Sequence, residues 1–208
     1  MTKIQDYKKT GIAIFKAGEI FTKDEVDMLS VHASTLPEEH VIVGDAGEPN
    51  DVYVGRVKID RAGEWSRIVP GAAPMAIIEI LLTKHHIFTD LFGYDMHLRR
   101  CQVNRLGEGA FIGRHLDAVS NPTYHAAVVI QLSKDYDGGE FAIYPEGAKK
   151  PIVKKTGYGD VVVTRCDVEH EVFRVKGGQR ISLVYFYSEF GGVNPRADLV
   201  ESKLAVGG

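Results

Sequence analysis

Between residues 96 and 187 the chain breaks into short stretches crowded with Val, Ile, Phe and Tyr and separated by glycine turns. The stretches are 96–106, 123–132, 139–144, 151–155, 160–165, 170–175 and 179–187. The breaks include Asp137-Gly138-Gly139, Gly157-Tyr158-Gly159 and Lys176-Gly177-Gly178. β-Branched and aromatic residues suit a pleated, half-buried surface, and glycine suits tight reversals between strands. The 22 glycines in 208 residues are the one departure from average composition, and turns account for them. Such a run predicts an antiparallel sandwich or barrel.

The first half supplies elements to cover that sheet. Residues 12–15 read as an opening strand. Thr22 followed by Glu25 fits a capping box, in which hydroxyl and carboxylate satisfy free amides of a new helix. That helix spans 23–34 with Val26, Met28 and Leu29 as its apolar face, and Leu36-Pro37 ends it. Residues 38–71 read as a polar, turn-rich loop interrupted by a strand at 52–59, and residues 74–92 as helix. His85 and His86 lie in that helix about 100° apart around its axis, so they do not chelate one metal. The fold class is therefore α+β, mainly β, with N-terminal helices packed on one sheet. No repeat or linker divides the chain, which reads as a single domain, 1–208. Residues 1–95 form its helical support and substrate-loop region, 96–190 its β core and 191–208 its tail.

Charge and hydropathy exclude several function classes. Lys and Arg number 25 against 28 Asp and Glu, a net charge of −3, so the basic footprint of a nucleic-acid binder is missing. No apolar run approaches the ~20 residues of a membrane helix. Residues 1–9 are polar and lack the apolar stretch of a secretory leader. The expectation is a soluble, cytoplasmic protein without nucleic-acid or membrane partners; a homodimer stays open. Cys101 and Cys166 have neither disulfide-scaffold nor zinc spacing and read as buried structural thiols.

The chemistry concentrates at Gly113-Arg114-His115-Leu116-Asp117. Histidine and aspartate two apart on an extended chain project to one face and offer a nitrogen and an oxygen to one metal. A distant second histidine completes the facial triad typical of non-haem Fe(II), with three positions left open. His170, downstream of the apolar Val161-Val162-Val163, is the candidate. Ten positions further on, Arg180 and Ser182 share a strand face and present a guanidinium fork and a hydroxyl suited to a carboxylate. A histidine–aspartate pair alone is common, and a polar loop explains it. The triad followed by Arg-x-Ser, in this order on a β-rich half, is far more specific. His125 reads as a core or rim histidine, and Asp135, Asp137 and Glu140 as turn residues.

These pieces resemble the Fe(II)/2-oxoglutarate-dependent oxygenases and, within them, the prolyl-4-hydroxylase-like branch. The resemblance covers roughly residues 100–187. It is carried by HLD at 115–117, DYDGGEF at 135–141, GYGDVVV at 157–163, DVEHEV at 167–172 and KGGQRISLVYF at 176–186. It implies a double-stranded β-helix core of jelly-roll, cupin-like type, with Fe(2+), 2-oxoglutarate and O2 as cofactors. It implies that His115, Asp117 and His170 hold the iron, and that Arg180, assisted by Ser182, grips the far carboxylate of 2-oxoglutarate. Many members of the branch carry lysine where this chain has Arg180; the charge is kept and a bidentate geometry gained. Where relatives often have a tyrosine upstream of the first ligand, this chain reads Asn104-Arg105-Leu106. Asn104 is then expected to hydrogen-bond the iron-chelating end of the cosubstrate, and Arg105 to do the same or to face substrate. A carboxylate at Asp117 implies hydroxylation, not chlorination, with release of succinate and CO2.

Substrate choice is expected to rest outside the matched segment. Residues 38–70 hold Asp45, Glu48, Asp51, Arg56, Arg61, Glu64, Trp65 and Arg67. Charges around one aromatic suit a small polar substrate such as a free amino acid or a derivative, with Trp65, Arg67 and Arg105 as contacts. An ordinary solvated loop has the same composition. The alternatives are a hydroxylase of peptide or protein side chains and a non-catalytic β-barrel binding protein. One topological condition applies: a plain hairpin joining 170–175 to 180–187 would leave Arg180 far from His170, so the two strands must lie on facing sheets. The tail from residue 194 is expected to act as a lid, pack in a dimer or stay loose.

Overall fold

The computed structural model describes residues 3–196. Helix α1 (Lys3–Thr10) leads into strand β1 (Ile12–Phe15), followed by α2 (Lys23–Ser34). The Glu25 amide donates to the Thr22 hydroxyl and the Thr22 amide to the Glu25 carboxylate, so the capping box is complete. Val26, Leu29 and Ala33 form the buried face of α2. Met28, expected there, is 51% exposed, because one step before Leu29 turns it about 100° off that stripe. In the 38–71 segment the expected strand at 52–59 is present as part of β3 (Pro49–Ile59), and the rest differs from expectation: β2 (Glu39–Val43) forms a long hairpin with β3, and β4 (Arg67–Ile68) pairs with the far end of β3. Nearly all of β2 is exposed, so no apolar period survives there to betray a strand.

Helices α3 (Ala72–Thr83) and α4 (His85–Phe92) come next, then β5 (His97–Leu106) and β6 (Phe111–His115). A 3-10 turn at Asp117–Val119 precedes β7 (Tyr124–Gln131), β8 (Tyr136–Gly138), β9 (Phe141–Tyr144) and β10 (Ile152–Lys154). The chain finishes with β11 (Val161–Arg165), β12 (Glu169–Val172), β13 (Val175–Gly178) and β14 (Arg180–Ser188). Lys176-Gly177-Gly178, expected as a turn, is part of β13, which pairs with β8. Both strands are glycine-rich, so composition alone could not separate strand from reversal. Residues of the tail beyond 196 lie outside the described residues.

A larger antiparallel sheet runs β1-β11-β7-β14-β5-β3, and a smaller one β6-β12-β9-β10. Strand β3 joins them, because Asn50 and Asp51 at its start pair with Ile112 and Phe111 of β6. His170 and Arg180 are therefore on facing sheets: β12 pairs with β6 and β9, β14 with β5 and β7. The result is the expected jelly roll with helices on one side. Strand alternation sorts its side chains. Leu183, Tyr185 and Tyr187 of β14 join Leu29, Ile77, Leu81 and Phe88 of the helices in one core. Arg180, Ser182, Val184 and Phe186 point instead into the space between the sheets. No helix among the described residues is long and apolar enough to cross a membrane.

Candidate metal centre

His115 ends β6, Leu116 continues in extended conformation (φ −115°, ψ 124°), and Asp117 opens the 3-10 turn. One extended residue between them keeps both side chains on the same face. His170 of β12 stands directly across from His115 in the antiparallel register. The Asp117 carboxylate lies between the rings, with Oδ1 3.4 Å from His115 Nε2 and Oδ2 3.3 Å from His170 Nε2. Each histidine donates from Nδ1 to the carbonyl two residues back: His115 to Gly113 at 2.7 Å and His170 to Val168 at 3.0 Å. Those bonds fix both tautomers and leave both Nε2 atoms free to ligate.

The charges of this trio lean on one another. Burial opposes charge on Asp117, but His170 and His115 outweigh it and hold the carboxyl well below its usual range. Burial likewise lowers the His115 pKa, and Asp117 together with the Gly113 carbonyl reverses that, pushing it up to about 9. The candidate ligand atoms of the three residues all lie within 4.8 Å of one another, and no fourth His, Cys, Asp or Glu joins them among the described residues. Two imidazoles and one carboxylate with coordination positions to spare are the donor set that suits Fe(II). Cys166, close by, is fully buried, and burial pushes its thiol far up, so it is inert.

The trio opens into a cavity of about 880 Å³, mouth included, between the two sheets. At one end sit Arg180 and Ser182, with Asn104 opposite Ser182 in the register. Arg180 is 2% exposed; its Nη1 donates to Ser182 Oγ at 3.2 Å, and the Tyr136 hydroxyl is a further partner. Its Nε has no partner, and among the described residues no carboxylate pairs with it. A buried guanidinium without a counter-ion is costly, so the pocket fits a ligand carboxylate. Gly139 makes room for it: at φ +62°, a Cβ there would stand 2.9 Å from Arg180 Cδ. Apolar residues including Val129, Phe141, Val172 and Val184 wall the space beyond.

The other end is built by residues that motif reading passed over. Arg100 and Gln102 of β5 alternate with Cys101 and Val103, which face the helices. That period-two polar row, ending in Asn104, is visible in the sequence, yet only topology shows that it faces a cavity. Asp45, Glu48 and Arg56, noted only as members of a charged segment, also line the cavity. Asp51, Arg61, Glu64, Trp65 and Arg67 do not. Trp65 is 66% exposed, and Arg67, on the short β4, is exposed too. Arg105 is corrected as well. Neighbours on a strand face opposite ways, so with Asn104 inward, Arg105 points to the helices, donating to the Ala33 carbonyl and pairing with Glu38 at 3.2 Å. His125 sits on the rim against Tyr94 and Glu189, and Asp137 pairs with Lys155 at the surface.

The family model of the 2OG-Fe(II) oxygenase superfamily matches residues 101–188. A solved oxidoreductase of the 2OG-Fe(II) oxygenase family from Burkholderia pseudomallei is 41% identical, with a TM-score of 0.88 over 94% of this chain and 93% of that one. A prolyl-4-hydroxylase from Pseudomonas putida shares the fold at 18% identity, with a TM-score of 0.64 over 91% and 98% of the two chains. So does the epimerase SnoN from nogalamycin biosynthesis, solved with Fe3+, alpha ketoglutarate and nogalamycin RO. It is 12% identical, with a TM-score of 0.66 over 89% of this chain and 82% of that one. No curated protein sequence matches.

Proposed function

The chain belongs to the 2OG-Fe(II) oxygenase family, and from that premise we propose that it hydroxylates an unactivated C–H bond of a small polar substrate, an amino acid or a close derivative. It is a 2-oxoglutarate-dependent non-haem iron dioxygenase, using Fe(II), 2-oxoglutarate and O2. On this reading His115, Asp117 and His170 hold the iron. The Nδ1–carbonyl bonds keep both rings aimed, and Asp117 balances part of the metal's charge while leaving one face open. The bound iron supplies oxidative decarboxylation of 2-oxoglutarate by O2, giving succinate and CO2 and the oxidising power for hydroxylation.

The remaining work belongs to side chains. Arg180 and Ser182 anchor the far carboxylate of 2-oxoglutarate, and Asn104 hydrogen-bonds the cosubstrate from β5. Val129, Phe141, Val172 and Val184 keep water from that end of the cavity. Residues 1–208 act as a single oxygenase domain in this reading. The observation that carries it is one cavity holding both a three-donor cluster within 4.8 Å and a buried arginine with no carboxylate partner among the described residues. The charged mouth supports a small polar substrate.

The test is Fe(II) and 2-oxoglutarate uptake by anaerobically purified protein. Succinate formation in air would follow, against free amino acids, their derivatives and short peptides. Stimulation by the amino acids, absent in Asp117→Ala, is expected. Stimulation confined to peptides would replace the small-molecule reading with the peptidyl one, and uptake of neither iron nor cosubstrate would sink the site assignment.

A further inference from the structure

At the mouth of the cavity, opposite Arg180, three arginines gather near Asp45, and one of them, Arg100, bonds its carboxylate. Arg100 donates from Nη1 to the Asp45 carboxylate and from Nε to Gln102 Oε1 at 3.0 Å. Arg56 donates from Nη1 to the same Gln102 oxygen at 3.0 Å and pairs through Nε with Glu39 at 3.2 Å. Arg196 donates from Nη2 to the backbone carbonyl of Asp45 at 2.7 Å. Gln102 in turn donates to Asn104 at 2.8 Å, so a hydrogen-bonded row on β5 links this cluster to the cosubstrate end.

The two sides of the Arg100–Asp45 pair are unequal. Arg100 is a strand residue whose side chain is 14% exposed, and it lines the same cavity as His115, Asp117 and His170. Asp45 is 46% exposed and sits on the reversal between β2 and β3, where the Gly44 amide donates to Glu48 and the Gly47 amide to Gly44. Glu39, the partner of Arg56, is 63% exposed on the rim. Arg100 is thus held inward on a strand, while its counter-charge and that of Arg56 are exposed, one of them on a short turn. A ligand anion arriving at Arg100 replaces a half-solvated carboxylate, which regains full hydration when released. A sealed ion pair would offer no such exchange.

We propose that Arg100, seconded by Arg56, is the anchor for a carboxylate of the substrate, and that Asp45 occupies this anchor until the substrate's carboxylate displaces it. The inference rests on the oxygenase reading above and deepens it: the substrate is a small acid, held at a second arginine distinct from Arg180. Arg100 is a specificity-determining residue, and the β2–β3 reversal carries the resident competitor.

The probe is acetate, with acetamide as its uncharged counterpart, titrated calorimetrically into protein loaded with Fe(II) and 2-oxoglutarate without O2. Asp45→Gly is expected to bind acetate at least tenfold more tightly than wild type. Asp45→Asn, which keeps the shape of the turn, gains in the same direction by less. Acetamide shows no gain in either variant, and Asp45→Gly combined with Arg100→Gln returns acetate to the wild-type level. Neither Asp45 variant gaining, acetamide gaining equally, or the gain surviving Arg100→Gln would each overturn the anchor. The same titration on metal-free protein reads the anchor by itself, so failure to load iron and cosubstrate counts against the oxygenase site and not against Arg100. Among compounds that stimulate succinate formation, a free acid should lose at least tenfold when its carboxylate becomes a carboxamide; an equally active amide overturns the proposal.

Discussion

Arg99 and Arg100 are neighbours on β5, and they have opposite electrostatic fates. The Arg99 side chain is 2% exposed and is locked: Nη2 donates to Asp60 at 2.9 Å and Nη1 to the Phe190 carbonyl at 2.6 Å. Asp60 is fully buried and takes a further bond from Asn121 at 3.0 Å. In the cavity one residue along, Arg100 has a partner on an exposed turn, and Arg180 has no acidic partner among the described residues. In the flanking cluster the charge of Arg99 is matched by buried Asp60, although Arg99 Nε itself has no partner, so its charges serve the fold. The cavity's cations are matched less fully, and the carboxylates proposed above for cosubstrate and substrate would match them. Buried charges that the chain does not neutralise are a better guide to function than buried charges as such.

The largest effect expected is on the proposed metal centre, which lies in the same cavity as Arg100 and Arg180. Asp117→Ala removes one of three donors and the charge that the histidines surround. Metal analysis should find iron uptake lost, with succinate formation falling beyond the about 10–100-fold that altering a mere support of a metal ligand costs. Retained iron at full occupancy would contradict the triad. Next comes the sealed cluster. Asp60→Asn leaves Arg99 buried beside a neutral amide, and urea unfolding should show a loss of about 3–5 kcal/mol. An unchanged midpoint would mean that the cluster is not the structural half of the comparison.

Arg180→Met then tests the other half. Removing an unpaired buried charge should leave the cosubstrate-free protein as stable as wild type or more so. Binding of 2-oxoglutarate, followed by calorimetry, should weaken by about 2–5 kcal/mol, roughly 30-fold or more. If the variant unfolds as readily as Asp60→Asn, then Arg180 is a structural residue after all, and the contrast between sealed and open charges fails.

How much of this was legible beforehand follows from which forces act locally. The capping box of α2 is short-range hydrogen bonding, and Thr22 and Glu25 declare it in the sequence. The β core was legible because Val161, Val162 and Val163, or Leu183 and Tyr185, suit strands buried on both faces. His115, Asp117 and His170 could be singled out by spacing, and their meeting depends on a register that pairs His115 with His170. Of the β2–β3 hairpin only the β3 half was legible, as the strand at 52–59 with its buried Val52, Val54 and Val57; β2 was not, because nearly all of it faces solvent. Arg100 and Gln102 were passed over for a related reason: hydrophobic patterning reports faces that meet apolar cores, and this face meets a cavity. Trp65 drew attention as the sole tryptophan, and its exposure is the ordinary fate of a loop aromatic.

The smallest effect expected is the titration of Asp45, which bears directly on whether Arg100 is occupied in solution. Burial raises the Asp45 pKa, but Arg100 from β5, Arg56 from β3 and Arg196 from the segment after β14 outweigh it and leave it below the ordinary carboxylate value. A folded-state pKa depressed in this way stabilises the closed turn above the ordinary value of about 3.9, and that contribution disappears as the pH falls through the lower folded value. Because the side chain is 46% exposed, solvent screens the pair and its share of fold stability is small. Carboxyl-carbon NMR of Asp45 should therefore give a midpoint below about 3.9 in wild type. In Arg100→Gln the burial that remains should move the midpoint upward while the unfolding midpoint barely changes. A normal midpoint in both proteins would mean that Asp45 does not sit on Arg100 in solution, and the cavity would then hold two open cationic ends instead of one open and one provisionally filled.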